Sequence, residues 1–320
     1  MRREGSALSG AATVMAKELA DNLSSTRMRL LELLIFVSGA GAVYATIGSV
    51  KDLAGLVGED QFIFLRIFTT AKEPLPSFVA FLGFLIPIVS IALGFDAVNS
   101  EFSNRTMSRI LAQPIYRDAL LFGKFMSGLV TLAVVLAALW IFVTGLGILM
   151  LGVPPGTNEV VRGFAFLVAA IAYGAVWLAL AMLFSIVFRS SATAALASLA
   201  VWLLFAFFWQ MVVPLITLAI APPDMFDPMS QLATINVGMG ISRISPNTLF
   251  GEATQAFLNP ETRSLGPVLA SQMQGADRGA PLPFDQSLML VWPQMTGMIA
   301  SVIVLFTIAY IAFQRQEVRA

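Results

Sequence analysis

Six apolar stretches, each about as long as a bilayer core is thick, limit what this chain can become. A hydrocarbon core of ~30 Å takes roughly 20 apolar residues as a helix. Residues 30–50, 78–97, 122–151, 163–187, 193–221 and 290–313 all meet that length. No water in the core can satisfy backbone N–H and C=O groups, so each run must close its own hydrogen bonds as a helix. Only 12% of the 320 residues are charged, about half the share of a soluble domain. The expected fold class is an all-α integral membrane protein with six transmembrane helices. The third and fifth runs are long enough to tilt, break or extend beyond the core. Pro87, Pro214 and Pro293 lie in or near spans, where a kink is tolerated if neighbours satisfy the freed backbone groups. Gly39, Gly41, Gly145 and Gly147 offer small faces for close helix contact.

Charge placement orients the bundle. An even number of spans puts both termini on one side. That side and its loops carry twelve basic and six acidic residues, against seven basic and eleven acidic on the other. The positive-inside rule then makes both termini cytoplasmic, in a multi-pass protein of the cell (plasma or inner) membrane. Glu32 and Asp96 fall within or at the edge of spans. Each is either a boundary charge that pairs with a nearby Arg or a member of a proton relay.

The flanking segments have patterns of their own. Within residues 1–29, Leu8, Ala11, Ala12, Met15, Leu19 and Leu23 recur at helical spacing, with Lys17, Glu18, Asp21 and Asn22 on other faces. This reads as an amphipathic interfacial helix on the membrane surface, or else a loosely ordered tail. The N-terminus is too polar to supply the apolar core of a cleaved signal peptide. Residues 222–289 hold eight of the sixteen prolines and form an extracytoplasmic insert between spans five and six. In it Ser245 caps and Pro246 opens a helix. Leu249, Phe250, Ala253, Ala256 and Phe257 share one face of that helix, and Asn259-Pro260 ends it. Its amphipathic pattern favours a small packed cap with room for an extracytoplasmic partner. The organisation is thus residues 1–29, spans one to five over 30–221, the insert 222–289, and the sixth span with its tail over 290–320.

Several chemistries are excluded. The chain has no cysteine and no histidine, which removes disulfides, thiolate chemistry, Cys- or His-based metal motifs and a Ser–His pair. Gly123-Lys124-Phe125 lacks the upstream glycine and the Ser/Thr of a phosphate-binding loop. No catalytic residue, metal or cofactor is expected on this chain, and no nucleic-acid partner. Trp202, Trp209 and Gln210 of span five can line a passage for an amphiphilic substrate, or serve as interface anchors and interhelical hydrogen bonds.

The remaining feature is the polar, net-basic segment Asn99–Lys124 between two spans. Ser103 or Asn104 can cap a short helix whose Met107, Ile110 and Leu111 share a face, while Arg105 and Arg109 point elsewhere and Pro114 stops it. Its apolar ridge either meets another protein or belongs to a solvated loop. Glu101, Arg105-Thr106, Ile110-Leu111, Pro114-Ile115, Arg117 and Gly123-Lys124 stand in an order that resembles the cytoplasmic loop of type-2 ABC exporter permeases. The family's usual glycine before the Thr is replaced by Arg105. Lys17-Glu18 before the first span, Ser245-Pro246 before the last, and the polar-basic tail from Gln314 are also similar to members of that family.

The resemblance implies a permease subunit of an ABC exporter, paired with a second permease subunit as homo- or heterodimer. It implies a separate nucleotide-binding ATPase, which would hold the ATP and Mg2+. The helix in loop 99–121 becomes a coupling helix, with Glu101, Arg105, Thr106, Met107, Arg109, Ile110, Leu111, Pro114 and Arg117 as the ATPase-docking residues. Other readings are a permease-like protein that relays ATPase work to an outer partner without transport, an ion-coupled secondary transporter, and an intramembrane enzyme. The secondary transporter should carry paired intramembrane charges or broken helices in matching halves, and neither is clear here.

Overall fold

The computed structural model describes residues 7–57, 62–72, 76–104, 116–224, 226–266 and 281–316. Helix α1 (Ala7–Ser24) leads into α2 (Thr26–Val57), and a short α3 (Ile63–Thr69) precedes α4 (Phe78–Gly94). A helical turn, α5 (Asn99–Ser103), prolongs α4; then come α6 (Arg117–Leu151) and α7 (Thr157–Val187). Span five is built from α8 (Ser191–Leu203), a π-helical turn (Leu204–Phe208) and α9 (Trp209–Ile220). The chain closes with α10 (Pro228–Ser242), α11 (Pro246–Leu258) and α12 (Phe284–Arg315).

Among the described residues, six helical segments are long and apolar enough to cross a membrane: Thr26–Gly48, Phe78–Ser103, Arg117–Leu151, Thr157–Val187, Ser191–Ile220 and Phe284–Arg315. They coincide with the six apolar runs of the sequence. Several start earlier than hydropathy alone suggests, because helices continue through polar residues once outside the apolar layer. Helix α6, with 35 residues, is about 52 Å long at 1.5 Å per residue. It therefore projects well beyond a ~30 Å core.

The centre of the bundle is α7. It packs against α4, α6, α8, α11 and α12, and 78% of its most apolar window is buried, against 11% for span five. Span five is correspondingly peripheral, with Phe207, Phe208, Met211 and Leu215 turned outward. Its helix changes register at the π turn, and Pro214 then withholds the N–H that the Gln210 carbonyl would accept. Of the four glycines singled out above, a Cβ added at Gly39 would stand 3.0 Å from Leu139 and one at Gly147 2.9 Å from Ile67 and Phe64, whereas at Gly41 and Gly145 it would meet nothing within 4 Å.

Helices α10 and α11 make a hairpin. α10 runs back along α9, so the hairpin's turn reaches Trp209, whose indole N–H donates to the Ser242 carbonyl at 3.3 Å. That point is about 16 Å below the far end of span five, so the insert re-enters the level of the spans. The expected amphipathic helix is present as α11, with Leu249, Phe250, Ala253, Ala256 and Phe257 buried. Ser245 occupies the N-cap position, yet its side chain makes no capping bond; Pro246 alone defines the helix start.

At the end of the bundle opposite α1, two charged residues one turn apart on α7 hold the connections together. Glu159 Oε1 accepts the N–H groups of Phe64 (2.8 Å) and Leu65 (3.3 Å) at the start of α3. Its other oxygen accepts Gly156 N–H at 2.7 Å at the start of its own helix. A carboxylate thus satisfies orphan donors at two helix N-termini, where negative charge is favoured. Arg162, fully buried, donates to the carbonyls of Ala256 and Phe257 in the last turn of α11 at 3.4 and 3.3 Å. It also bonds Ser287 Oγ (3.1 Å), Asn158 Oδ1 (3.1 Å) and the Leu282 carbonyl. Its guanidinium lies 5.7 Å from the Phe62 ring centroid. A cation at a helix C-terminus is the complementary arrangement.

Candidate functional site

The end of the bundle that carries α1, called basal below, gathers the polar residues flanking segment 105–115. Lys124, about two turns into the helix of span three, is buried, its side chain 4% exposed. Its ammonium lies 2.9 Å from Glu18 Oε1 on α1 and 3.2 Å from Glu101 Oε1 on α5. A buried ammonium with two charge-assisted acceptors satisfies the rule that buried charges be paired.

The sequence brings these three groups together for a local reason. Gly123, beside Lys124, has no side chain, so α1 can lie against α6; a Cβ there would stand 2.8 Å from the Ala11 carbonyl and from Val14 Cβ. Asn22 reinforces the contact by donating to Ser127 Oγ at 3.3 Å. The face of α1 toward α6 thus runs through Ala11, Val14, Glu18 and Asn22. It is rotated from the apolar stripe expected above, of which Ala12 and Leu23 are exposed. Flanking that face, Lys17 lies 3.1 Å from Glu18 and 3.0 Å from Asp21. Partial burial lowers its pKa, but the two carboxylates outweigh that and leave it above the ordinary lysine value.

Further ties fix the same end. Arg27 at the start of α2 forms a two-pronged pair with Asp96, with N–O distances of 2.7 and 3.4 Å, and stacks its guanidinium 5.0 Å over Phe95. Asp96 is therefore a boundary charge with an arginine partner. Ser185 near the end of α7 accepts the N–H groups of Val98 (2.9 Å) and Asn99 (3.2 Å), satisfying the backbone where α4 gives way to α5. Arg117 at the start of α6 donates to the Gln316 carbonyl at 3.3 Å, and the Gln316 amide donates to the Ile186 carbonyl.

Among the docking residues read from the sequence, Glu101 and Arg117 bracket the segment and are both held at the basal end. Arg105, Thr106, Met107, Arg109, Ile110, Leu111 and Pro114 lie outside the described residues. The span-five residues divide. Trp202 is buried and meets Phe84 edge-on at 4.8 Å, whereas Trp209 and the exposed Gln210 meet the α10–α11 hairpin, Gln210 reaching Thr248 Oγ1 at 3.5 Å. The sequence reading missed Lys124 as a hub and both α7 charges. Lys124 closes the loop motif and Lys17-Glu18 precedes the first span, but nothing in the spacing of the chain joins them.

A helical bundle with six candidate spans, tied by buried ion pairs at one end and holding a re-entrant helical hairpin near the other, defines a polytopic membrane protein. Residues 12–318 match the model of the ABC-2 family transporter proteins. The chain belongs to that family. It is similar to the probable ABC transporter permease protein NosY of Stutzerimonas stutzeri, 27% identical over 67% of this chain and 72% of the relative. It is also similar to the probable ABC transporter permease protein NosY of Pseudomonas aeruginosa, 29% identical over 62% of this chain and 68% of the relative.

Proposed function

We propose that this chain is the membrane subunit of an ABC exporter, driven by a separate ATPase that grips the basal end. The two curated relatives are named as permeases, and family membership supports an ABC transporter membrane subunit. The observation that carries the coupling is Lys124, buried between Glu18 and Glu101. It ties α1, α5 and α6 into one body, so a push on the intervening segment 105–115 moves the end of span two, the start of span three and α1 together. Glu101 and Arg117 brace that segment. Arg105, Thr106, Met107, Arg109, Ile110, Leu111 and Pro114 supply the ridge and rim that enter the ATPase.

In this reading the basal end and both termini are cytoplasmic. ATP and Mg2+ reside in the partner, a second permease subunit completes the pore, and Trp209 with Gln210 and the hairpin turn stand along the exit. The experiment is Ile110→Asp and Leu111→Asp in the chain co-expressed with its ATPase. Loss of ATPase association and of coupled export, with normal membrane insertion, is the expected result. Normal association and export in both variants would overturn it. Undiminished ATPase association with no substrate flux in the unmodified complex would favour a mechanical relay to an outer partner, which the re-entrant hairpin also suits.

A further inference from the structure

The α10–α11 hairpin holds a charged pair well inside the level of the spans. Arg243, at the end of α10, donates Nε to Glu252 Oε1 (3.2 Å) and Oε2 (2.9 Å) on α11, and Nη2 to the Leu265 carbonyl at 3.0 Å. Gln294 of α12, 2% exposed, donates Nε2 to the same carboxylate at 2.7 Å. The pair is not sealed: the Arg243 and Glu252 side chains are 32% and 18% exposed.

Its depth follows from its neighbours. Asn247, in the first turn of α11, meets the hydroxyl of Tyr173, which lies in the middle turn of the 31-residue α7. The last turn of α11 meets Arg162, near the start of α7. Helix α11 therefore rises from the middle of the bundle toward the end opposite α1. Glu252 stands about 8 Å above Asn247 at 1.5 Å per residue, inside the ~15 Å that half a hydrocarbon core occupies. A partly exposed ion pair at that level faces protein or water, not lipid tails.

The helix that carries Glu252 is divided in the same sense. Leu249, Phe250, Ala253, Ala256 and Phe257 are buried. Thr248, Gly251, Glu252 and Gln255 recur at i, i+3, i+4 and i+7 on the other side, with Gly251 and Gln255 exposed and Thr248 half-buried. A Cβ on Gly251 would meet nothing within 4 Å. The strip stays open because α10 packs along α9 and α11 chiefly along α7 and α12, so the two arms part above their shared turn. At the foot of the strip, the exposed Gln210 of α9 reaches Thr248 Oγ1 at 3.5 Å. The outward face of span five differs: it exposes Phe207, Phe208, Met211 and Leu215, as contact with lipid requires.

We infer that Thr248, Gly251, Glu252 and Gln255, with Arg243 and Gln210 at their foot, line a water-filled cleft open at the end opposite α1. The cargo it admits is a hydrophilic, hydrogen-bonding solute rather than a lipid. Arg243 and Glu252 cancel one another, so the wall has no net charge and admits cations and anions alike. The cargo clause rests on the transport reading; the hydration of the cleft does not.

The chain has no native cysteine, so a single introduced thiol reports alone. The test places Thr248→Cys, Gly251→Cys and Gln255→Cys, each in the full chain, in nanodiscs, which expose both membrane faces. Each variant is treated with a cationic, an anionic or an octyl thiosulfonate, and labelling is followed by intact mass. Met211→Cys and Leu215→Cys, on the outward face of span five, are the lipid-facing references. The thiolate is the nucleophile and forms in water rather than hydrocarbon, so the charged reagents should modify the strip at least about tenfold faster than the references. The cationic and anionic reagents should agree within about threefold, and the octyl reagent should lose the preference for the strip. Charged reagents acting no faster on the strip than on the references overturn the inference, whether lipid or a second copy covers it. Faster labelling of the strip by the octyl reagent than by the charged ones would make it a lipid face and overturn the cargo class. Strong selection between the two charges would overturn the neutral wall. These rates need no ATPase, so a failure here is separate from a failure of the coupling variants.

Discussion

The Tyr173 hydroxyl lies 3.0 Å from the Gly83 carbonyl, and that carbonyl is the one Pro87 leaves without its helical N–H. The same hydroxyl is 2.8 Å from Asn247 Oδ1 in the first turn of α11, so a single proton is shared between the proline-containing span and the inserted hairpin. Phe250 stacks on the Tyr173 ring at 4.4 Å, nearly parallel. Tyr173→Phe should keep the stacking and lose about 1–3 kcal/mol, lowering the thermal midpoint of the detergent-solubilised protein. Pro87→Ala restores the intrahelical donor, so the tyrosine substitution should cost less in that background. Equal costs in the two backgrounds would show that the hydroxyl does not serve the freed carbonyl.

Lys124→Met removes a cation and leaves Glu18 and Glu101 facing one another in a largely buried site. Breaking a buried pair by removing one partner costs about 3–5 kcal/mol. Glu18 and Glu101 retain 19% and 15% side-chain exposure, so the lower end of that range is expected. The protein should become protease-sensitive between α1 and α2 and lose coupled transport while still inserting. Adding Glu18→Gln and Glu101→Gln should recover stability in part, because the uncompensated charges are then gone. No recovery of protease resistance in the triple variant would assign Lys124 a role other than charge pairing.

What the sequence made legible follows from range. The spans, the start of α11 and its buried face depend on runs and periodicities of a few residues, and the structure contains them where spacing put them. Glu18 and Lys124 are 106 residues apart, and no pattern along the chain states that their helices adjoin; Gly123, where the two helices touch, stood in the sequence only as part of the loop motif. Arg162 was hidden by the way hydropathy draws boundaries. A span drawn from residue 163 discards the preceding charges as loop, although α7 begins at Thr157 and buries both Glu159 and Arg162. The depth of the α10–α11 hairpin was equally invisible, because its prolines and polar residues look the same on a surface cap as in a re-entrant turn packed on Trp209 and Tyr173.

Arg162→Met should loosen the end of the bundle opposite α1 as a unit. The substitution leaves the last carbonyls of α11 and the Leu282 carbonyl without their shared donor, each orphan costing about 1–3 kcal/mol where water cannot reach. Faster amide hydrogen exchange is expected in α3, the C-terminal turn of α11 and the first turns of α12, with the basal end unchanged. Arg162→Lys keeps the charge but not the fork that reaches several carbonyls at once, so it should rescue only partly. Full rescue by lysine would mean that charge matters and geometry does not.

Gly94 in α4 tests how closely the two most buried spans approach. A Cβ there would stand 2.8 Å from Ala181 Cβ and 3.0 Å from the Leu178 carbonyl of α7. The obstacle includes backbone, which cannot rotate away. Gly94→Ala should therefore push α4 from α7 and cost about 1–3 kcal/mol by overpacking, even though alanine is the better helix former by ~1 kcal/mol. Gly145→Ala in α6, where no atom lies within 4 Å of the added methyl, isolates that propensity gain and should be neutral or stabilising. Thermal midpoints of the two variants should move in opposite directions or differ by the clash alone; a stabilising Gly94→Ala would mean that the α4–α7 contact is looser than these distances require.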